Sequence, residues 1–305
     1  MTAPPIEGSP ATTYEIVGPP DTPVVLALGG ISSSRHVARW HESEPAGWWE
    51  GVVGPASALT ADARRILGLD FVDGGRAPDG RPARIVTTID QARFIVGLLD
   101  QLEIDAVDVV GASYGGMVGL ALAQEWPRRV RRLVVISAAH ESHPMATGLR
   151  ALQRRIVELG LETDRAVDAM AIARAIAMTT YRTAEEFAAR FDVEPHVVDR
   201  TAEFDVERYL LHAGEKFAAR TPAERFLALS LSADLHLVVP ERIDVPVTVI
   251  ASRGDTLVPA AQTDELARRL PQLRALHTLD TQYGHDAFLL EGSTLGPLLL
   301  DALRD

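Results

Sequence analysis

Residues 106–116, AVDVVGASYGG, followed at once by MVGLALAQEW at 117–126, decide the fold of this chain. An apolar, β-branched run ends at Gly111, and the segment after Gly116 reads as a helix. Between them lies Gly-x-Ser-x-Gly, with Ser113 at the tip of a sharp strand-to-helix turn. A serine held there needs small neighbours, so that strand and helix can approach while its Oγ stands clear. The backbone N–H groups of Ser113 and Tyr114 then lie at a helix N-terminus, where developing negative charge is favoured. An ordinary glycine-rich turn of an α/β protein is the alternative.

Working outward, PVVLALGG (23–30), ARRILGLDFV (63–72), RRLVVISAA (131–139), VPVTVIAS (245–252) and RALHTLD (274–280) each contain a strand-sized apolar run. A further short strand is expected around Tyr14 to Val17. TTIDQARFIVGLLDQL (87–102) carries apolar residues at helical spacing, with Thr88 as a candidate N-cap. Strands alternating with helices of this length imply a mostly parallel central sheet covered by helices, an α/β fold. From 142 to 235 the pattern changes to amphipathic helices without a convincing strand. The chain therefore divides into a first α/β part (1–141), an inserted all-helical cap (142–235) and a second α/β part (236–305).

Composition narrows the function. Of 305 residues, 47% are hydrophobic and 24% charged, which is globular. Net charge is −12, which argues against a nucleic-acid surface. There is no cysteine, which excludes disulfides, thiolate catalysis and Cys-ligated metal. No apolar run reaches membrane length, and MTAPPIEGSPATTYEI lacks the basic start and apolar stretch of a secretory signal. A cytoplasmic location is the expectation.

A serine hydroxyl needs a base, and the base needs an acid to orient it. With a nucleophile on a strand–turn–helix, the chain order is Ser, then Asp or Glu, then His. Asp255, in ASRGDTLVP, stands just past a strand, on the sheet edge where open parallel sheets place their sites. His285, in TQYGHDAFLLE, follows the next strand, whereas His277 lies inside it. The loop after the first core strand, LALGGISSS, supplies Gly30 and Ile31 as candidates for the second oxyanion donor, beside Tyr114. The arginine pairs 128/129, 131/132 and 154/155 read as solvated ends of elements. His140, His143 and Glu141 are too irregular for a metal site, and Trp48 and Trp49 read as packing anchors.

Taken together, these segments resemble the homoserine O-acyltransferase family of the α/β-hydrolase fold. GWWEGVVGP (47–55), GASYGGM, AMTTYRTAEEFAARF (177–191), VERYLLHAGEKFAAR (206–220) and GHDAFLLE (284–291) carry the likeness, which runs from about residue 23 to residue 291. The resemblance implies ping-pong acyl transfer in methionine biosynthesis. Ser113 would take an acyl group from acyl-CoA, a co-substrate and not a bound cofactor, and pass it to L-homoserine. Arg182 would hold the homoserine carboxylate and Asp286 its amino group. A homodimer packed through the cap helices is implied as well. The chain departs from the family at Ala-Ser-Tyr in the elbow, at GGISSS, and in a shorter loop after residue 72. Succinyl-using relatives similar to this chain can carry an arginine two residues after the acid, where Leu257 stands here. That favours acetyl over succinyl, with Arg35 or a cap arginine as an alternative cation. Transfer to L-serine and hydrolysis of small esters are the competing activities on the same three residues, and a non-catalytic binding protein is the competing class.

Overall fold

A computed structural model describes residues 13–304; the segment 1–12, and with it most of the signal-sequence argument, lies outside the described residues. Strands β1 (Tyr14–Val17), β2 (Val24–Leu28) and β3 (Arg65–Leu69) come first. Helix α1 (Thr88–Gln101), strand β4 (Val107–Ala112), helix α2 (Tyr114–Glu125) and strand β5 (Val130–Ile136) follow. The chain then leaves the sheet through α3 (Pro144–Glu162), α4 (Ala166–Tyr181) and α5 (Ala184–Arg190). A short hairpin, β6 (His196–Val198) with β7 (Thr201–Glu203), precedes α6 (Asp205–Ala218) and α7 (Ala223–Asp234). The insert is therefore helical apart from one hairpin, whose three-residue strands are too short to leave a period-2 signal. Strand β8 (Val247–Ser252), α8 (Ala260–Arg269), β9 (Leu273–Leu279), α9 (Ala287–Leu290) and α10 (Gly292–Ala302) complete the chain.

Seven strands form one sheet in the order β1-β3-β2-β4-β5-β8-β9. Only β1 runs antiparallel, on β3; every other pairing is parallel. The central strands are buried along their whole length because helices cover both faces. Alternation along them sorts the core. Leu26 and Leu28 pack with Ile95 and Leu99 of α1 and Leu122 of α2, whereas Val25 and Ala27 face Trp49, Leu59, Phe288 and Leu299. The cap has a core of its own around Val157, Met170, Phe217 and Phe226. A pairing of Glu141 with Leu237 joins the strands of chain where the insert leaves and re-enters.

Two local expectations are corrected. The N-cap of α1 is Thr87, not Thr88: Thr87 Oγ1 accepts from Asp90 N–H and the Asp90 carboxylate accepts from Thr87 N–H, a reciprocal capping box. Thr88 is buried and its hydroxyl meets His236 Nδ1 at 2.9 Å. Nor are all the arginines of the three pairs solvated. Asp108, on β4, is fully buried, and Arg64, Arg131 and Arg132 converge on its carboxylate at 3.3–3.5 Å. Arg129 pairs with Asp100 at 2.5 Å and also donates to the carbonyls of Ile104 and Asp105. Arg154 binds Asp234 at 2.6 Å. Arg128 and Arg155 are exposed as expected.

Candidate active site

Ser113 takes φ 54° and ψ −121°, a conformation that tilts the side chain out of the turn between β4 and α2. The flanking glycines permit it. A Cβ on Gly111 would sit 2.4 Å from the Gly115 carbonyl oxygen, and one on Gly115 would sit 2.3 Å from that of Leu28. Any larger residue would push the strand and helix apart.

The three residues marked by chain order come together at the C-terminal edge of the sheet. Ser113 Oγ lies 2.8 Å from His285 Nε2, and His285 Nδ1 lies 2.7 Å from Asp255 Oδ2. The other Asp255 oxygen accepts from the backbone N–H groups of Leu257 and Val258, both at 2.9 Å. The carboxylate is thereby fixed in the loop after β8. With Nδ1–H directed at Asp255, the His285 Nε2 lone pair faces the serine hydroxyl. Burial pulls the His285 pKa down, but the Asp255 charge and hydrogen bond, aided by Asp286, outweigh it and raise the pKa above the ordinary histidine value. The Trp pair buttresses this corner. Trp48 and Trp49 stack with ring centroids 5.0 Å apart, and Trp49 Nε1 donates to the Phe288 carbonyl at 2.7 Å, three residues from His285.

The oxyanion expectation needs one correction. Ser113 N–H donates to the Ile136 carbonyl at 2.8 Å and is not available to a ligand. The N–H groups of Ile31 and Tyr114 donate to no protein acceptor among the described residues, and both residues line the cavity above Ser113. The Tyr114 side chain turns the other way, into the core. Its hydroxyl meets Ser232 Oγ at 2.7 Å, and burial pushes its pKa up to about 12.

The cavity holds about 100 Å³, several times the space one water needs, and lies between the sheet edge and the cap. Ser113, Tyr181, Leu257, His285, Asp286 and Phe288 line it. Arg182 does not. Its guanidinium donates to Asp286 at 3.0 Å and Glu186 at 2.9 Å, and its pKa is raised because these carboxylates outweigh burial. So the two residues marked for the acceptor are brought together as a buried ion pair, with Asp286 facing the cavity. Sequence reasoning missed Glu186 as the third member, although its place four residues after Arg182 on a helical segment is an ion-pair signal. It also missed Arg150 and Arg174, which reach the cavity from the cap. Arg35 is tied to Asp70 at 2.6 Å and does not line the cavity. His143 caps α3, His140 sits 3.1 Å from Arg269, and no cluster able to hold a metal ion is found among the described residues. None of the described helices is long and apolar enough to cross a membrane.

Comparison with known proteins places this geometry. The model of the alpha/beta hydrolase fold matches residues 23–292. The homoserine O-succinyltransferase of Xanthomonas campestris is 42% identical over 95% of this chain and 78% of its own length. The homoserine O-acetyltransferase of Geobacter sulfurreducens is 29% identical over 95% of this chain and 89% of its own. Among solved structures, homoserine O-acetyltransferase from Bacillus anthracis superimposes with a TM-score of 0.86 over 96% of this chain and 92% of that one. At 15% identity, that likeness speaks to the fold alone. The chain belongs to the homoserine O-acyltransferase family of the α/β-hydrolase fold.

Proposed function

We propose that the protein transfers a short acyl group from acyl-CoA to the side-chain hydroxyl of L-homoserine by a ping-pong route through acyl-Ser113. The observation that carries this is the hydrogen-bonded chain Asp255–His285–Ser113, opening onto a cavity that also presents Asp286. In the first half-reaction His285 Nε2 takes the Ser113 proton while Oγ attacks the thioester carbonyl. The N–H groups of Ile31 and Tyr114 stabilise the oxyanion. The C–S bond breaks, and CoA leaves as the thiol with the proton from His285. In the second, His285 takes the proton of the homoserine hydroxyl, whose oxygen attacks the acyl carbonyl. Collapse of that adduct returns the proton to Ser113 and releases O-acylhomoserine, an intermediate suited to methionine biosynthesis.

Homoserine is a zwitterion, and the Arg182–Asp286 pair offers it one cation and one anion. Its carboxylate would go to Arg182 and its ammonium to Asp286, opening the pair on binding while Glu186 retains the guanidinium. A permanent cofactor has no part in this route. We also propose a cytoplasmic enzyme and a homodimer packed through the cap, where Val167, Ile172 and Leu211 are exposed. The division into core and cap at 142 and 235 is part of the same proposal.

The test is CoA release from acyl-CoA with and without L-homoserine, with L-serine as a competing acceptor. Release that requires homoserine is expected. Release that ignores any acceptor makes the protein a hydrolase, preference for serine changes the acceptor, and no release returns it to a binding role.

A further inference from the structure

Of the two N–H groups that face the cavity above Ser113, that of Tyr114 belongs to the start of α2, whereas that of Ile31 lies in the segment after β2. Gly30, Ile31 and Ser32 of that segment line the cavity. Ser33, the next residue, does not, and it is buried. Its Oγ–H donates to the Gly30 carbonyl at 2.7 Å, and its backbone N–H donates to the same oxygen at 3.0 Å. The preceding carbonyl, that of Gly29, accepts from Gly115 N–H at 2.9 Å. A Cβ on Gly29 would stand 2.8 Å from Ser33 Oγ and 2.9 Å from the Trp48 ring, so the serine packs closely against the loop that it holds.

The Gly30 carbonyl and the Ile31 N–H are the two ends of one planar trans peptide. They point in opposite directions and turn together, so whatever fixes the carbonyl also aims the N–H. Gly30 is where that peptide turns most freely, because glycine accepts backbone angles closed to other residues and a Cβ there would meet nothing within 4 Å. A half-turn would present a carbonyl oxygen to the cavity in place of the N–H, against a developing negative charge. The two bonds from Ser33 oppose that turn.

Resting on the acyl-transfer proposal above, we infer that Ser33 is a positioning residue for the reaction: its hydroxyl holds the Gly30 carbonyl and thereby aims Ile31 N–H at the oxyanion formed on Ser113. Both half-reactions pass through an oxyanion at the same place. Loss of the hydroxyl should therefore slow both equally and leave ground-state binding alone. Removing an oxyanion donor outright costs about 10²–10³ in rate. Ser33→Ala keeps the backbone bond to Gly30, so a partial loss of about tenfold is expected.

The experiment compares the native protein with Ser33→Ala and with Ser33→Cys, which keeps the bulk of the side chain but donates more weakly. With the faster of acetyl-CoA and succinyl-CoA as donor, it measures the first-turnover rate of acylation and the rate at which L-homoserine discharges the acyl-enzyme. Carbon-13 NMR then follows the pKa of the hemiketal formed when Ser113 Oγ adds to the carbonyl of a short alkyl trifluoromethyl ketone. Denaturation midpoints show that each variant has folded. Both variants should slow the two half-reactions together, by about tenfold in Ser33→Ala, at an unchanged homoserine KM and an unmoved acid limb of the pH profile. The hemiketal pKa should rise by about one unit in Ser33→Ala, because its oxyanion is less well held. Native rates in both variants overturn the inference, as does a loss confined to one half-reaction or to the homoserine KM. Lowered rates with an unmoved hemiketal pKa assign Ser33 to the general structure of the loop and overturn it too. Any of these results alongside homoserine-dependent CoA release in the native protein refutes Ser33 alone, whereas no release from either donor refutes acyl transfer and this inference with it.

Discussion

Ser113 holds a backbone conformation that costs about 1–3 kcal/mol, and the close strand–helix approach at Gly111 and Gly115 enforces it. What the protein gains is a hydroxyl 2.8 Å from His285 Nε2, clear of its own helix. The raised pKa of His285 gives a signed expectation. Acylation needs the neutral ring, so kcat/KM for the donor should fall as pH drops through a value above the ordinary histidine value of about 6.5. In Asp255→Asn, burial remains while the carboxylate charge is gone. The acid limb should move to lower pH, and the rate should fall by about 10⁴, as when an orienting acid is lost elsewhere. A pH–rate profile with an unmoved acid limb would remove Asp255 from that role. Arg182→Ala should raise the homoserine KM by tenfold or more while changing acylation by acyl-CoA much less, because Arg182 does not line the cavity at Ser113 and acts on the proposed acceptor beside Asp286. Equal losses in both half-reactions would make it structural. The order Ser, Asp, His was legible because each residue ends a recognisable strand. Ser113 N–H was misassigned because its pairing with Ile136 is a cross-strand contact that no local pattern encodes.

At the scale of elements, long apolar runs carried most of the information. Strands β2, β4 and β8 are buried on both faces, so their residues announce themselves without needing a partner. The helices of the cap were legible by periodicity. The β6–β7 hairpin was not, since strands of three residues are too short to leave a hydrophobic signature. The N-cap of α1 slipped by one residue because Thr87 and Thr88 are both threonines. The spacing to Asp90 decides between them, and only Thr87 completes the reciprocal box. Thr87→Ala should therefore cost about 1 kcal/mol, read as a lower denaturation midpoint at unchanged m-value. No change in midpoint would show that the cap does not support the helix. The side-chain partners of the arginines were hidden for a general reason: ion pairs such as Arg154–Asp234 and Arg182–Asp286 join segments 80 and 104 residues apart.

Across the whole molecule, one core sheet positions the proposed nucleophile, and the largely helical insert lies over it. The sheet depends on a polar element within it. Asp108 is fully buried under Arg64, which precedes β3, and Arg131 and Arg132 of β5. Asp108→Ala would remove the buried carboxylate on which three guanidiniums converge, and should destabilise the protein by about 3–5 kcal/mol in reversible denaturation. A loss below about 1 kcal/mol would mean that water already compensates the arginines. The cap, in turn, brings Arg182 against Asp286 of the second α/β part, so in the proposed reaction the chemistry would come from the sheet and the acceptor's cation from the insert. The central claim is that an acyl group rests on Ser113 between two substrates. Its most direct test is the intact mass of the protein mixed with acyl-CoA, before and after addition of L-homoserine. The account predicts a gain of one acyl group, located on Ser113 by peptide mapping and absent in Ser113→Ala, that is discharged by homoserine as O-acylhomoserine forms. An adduct on another residue, or one that homoserine leaves in place, would contradict it.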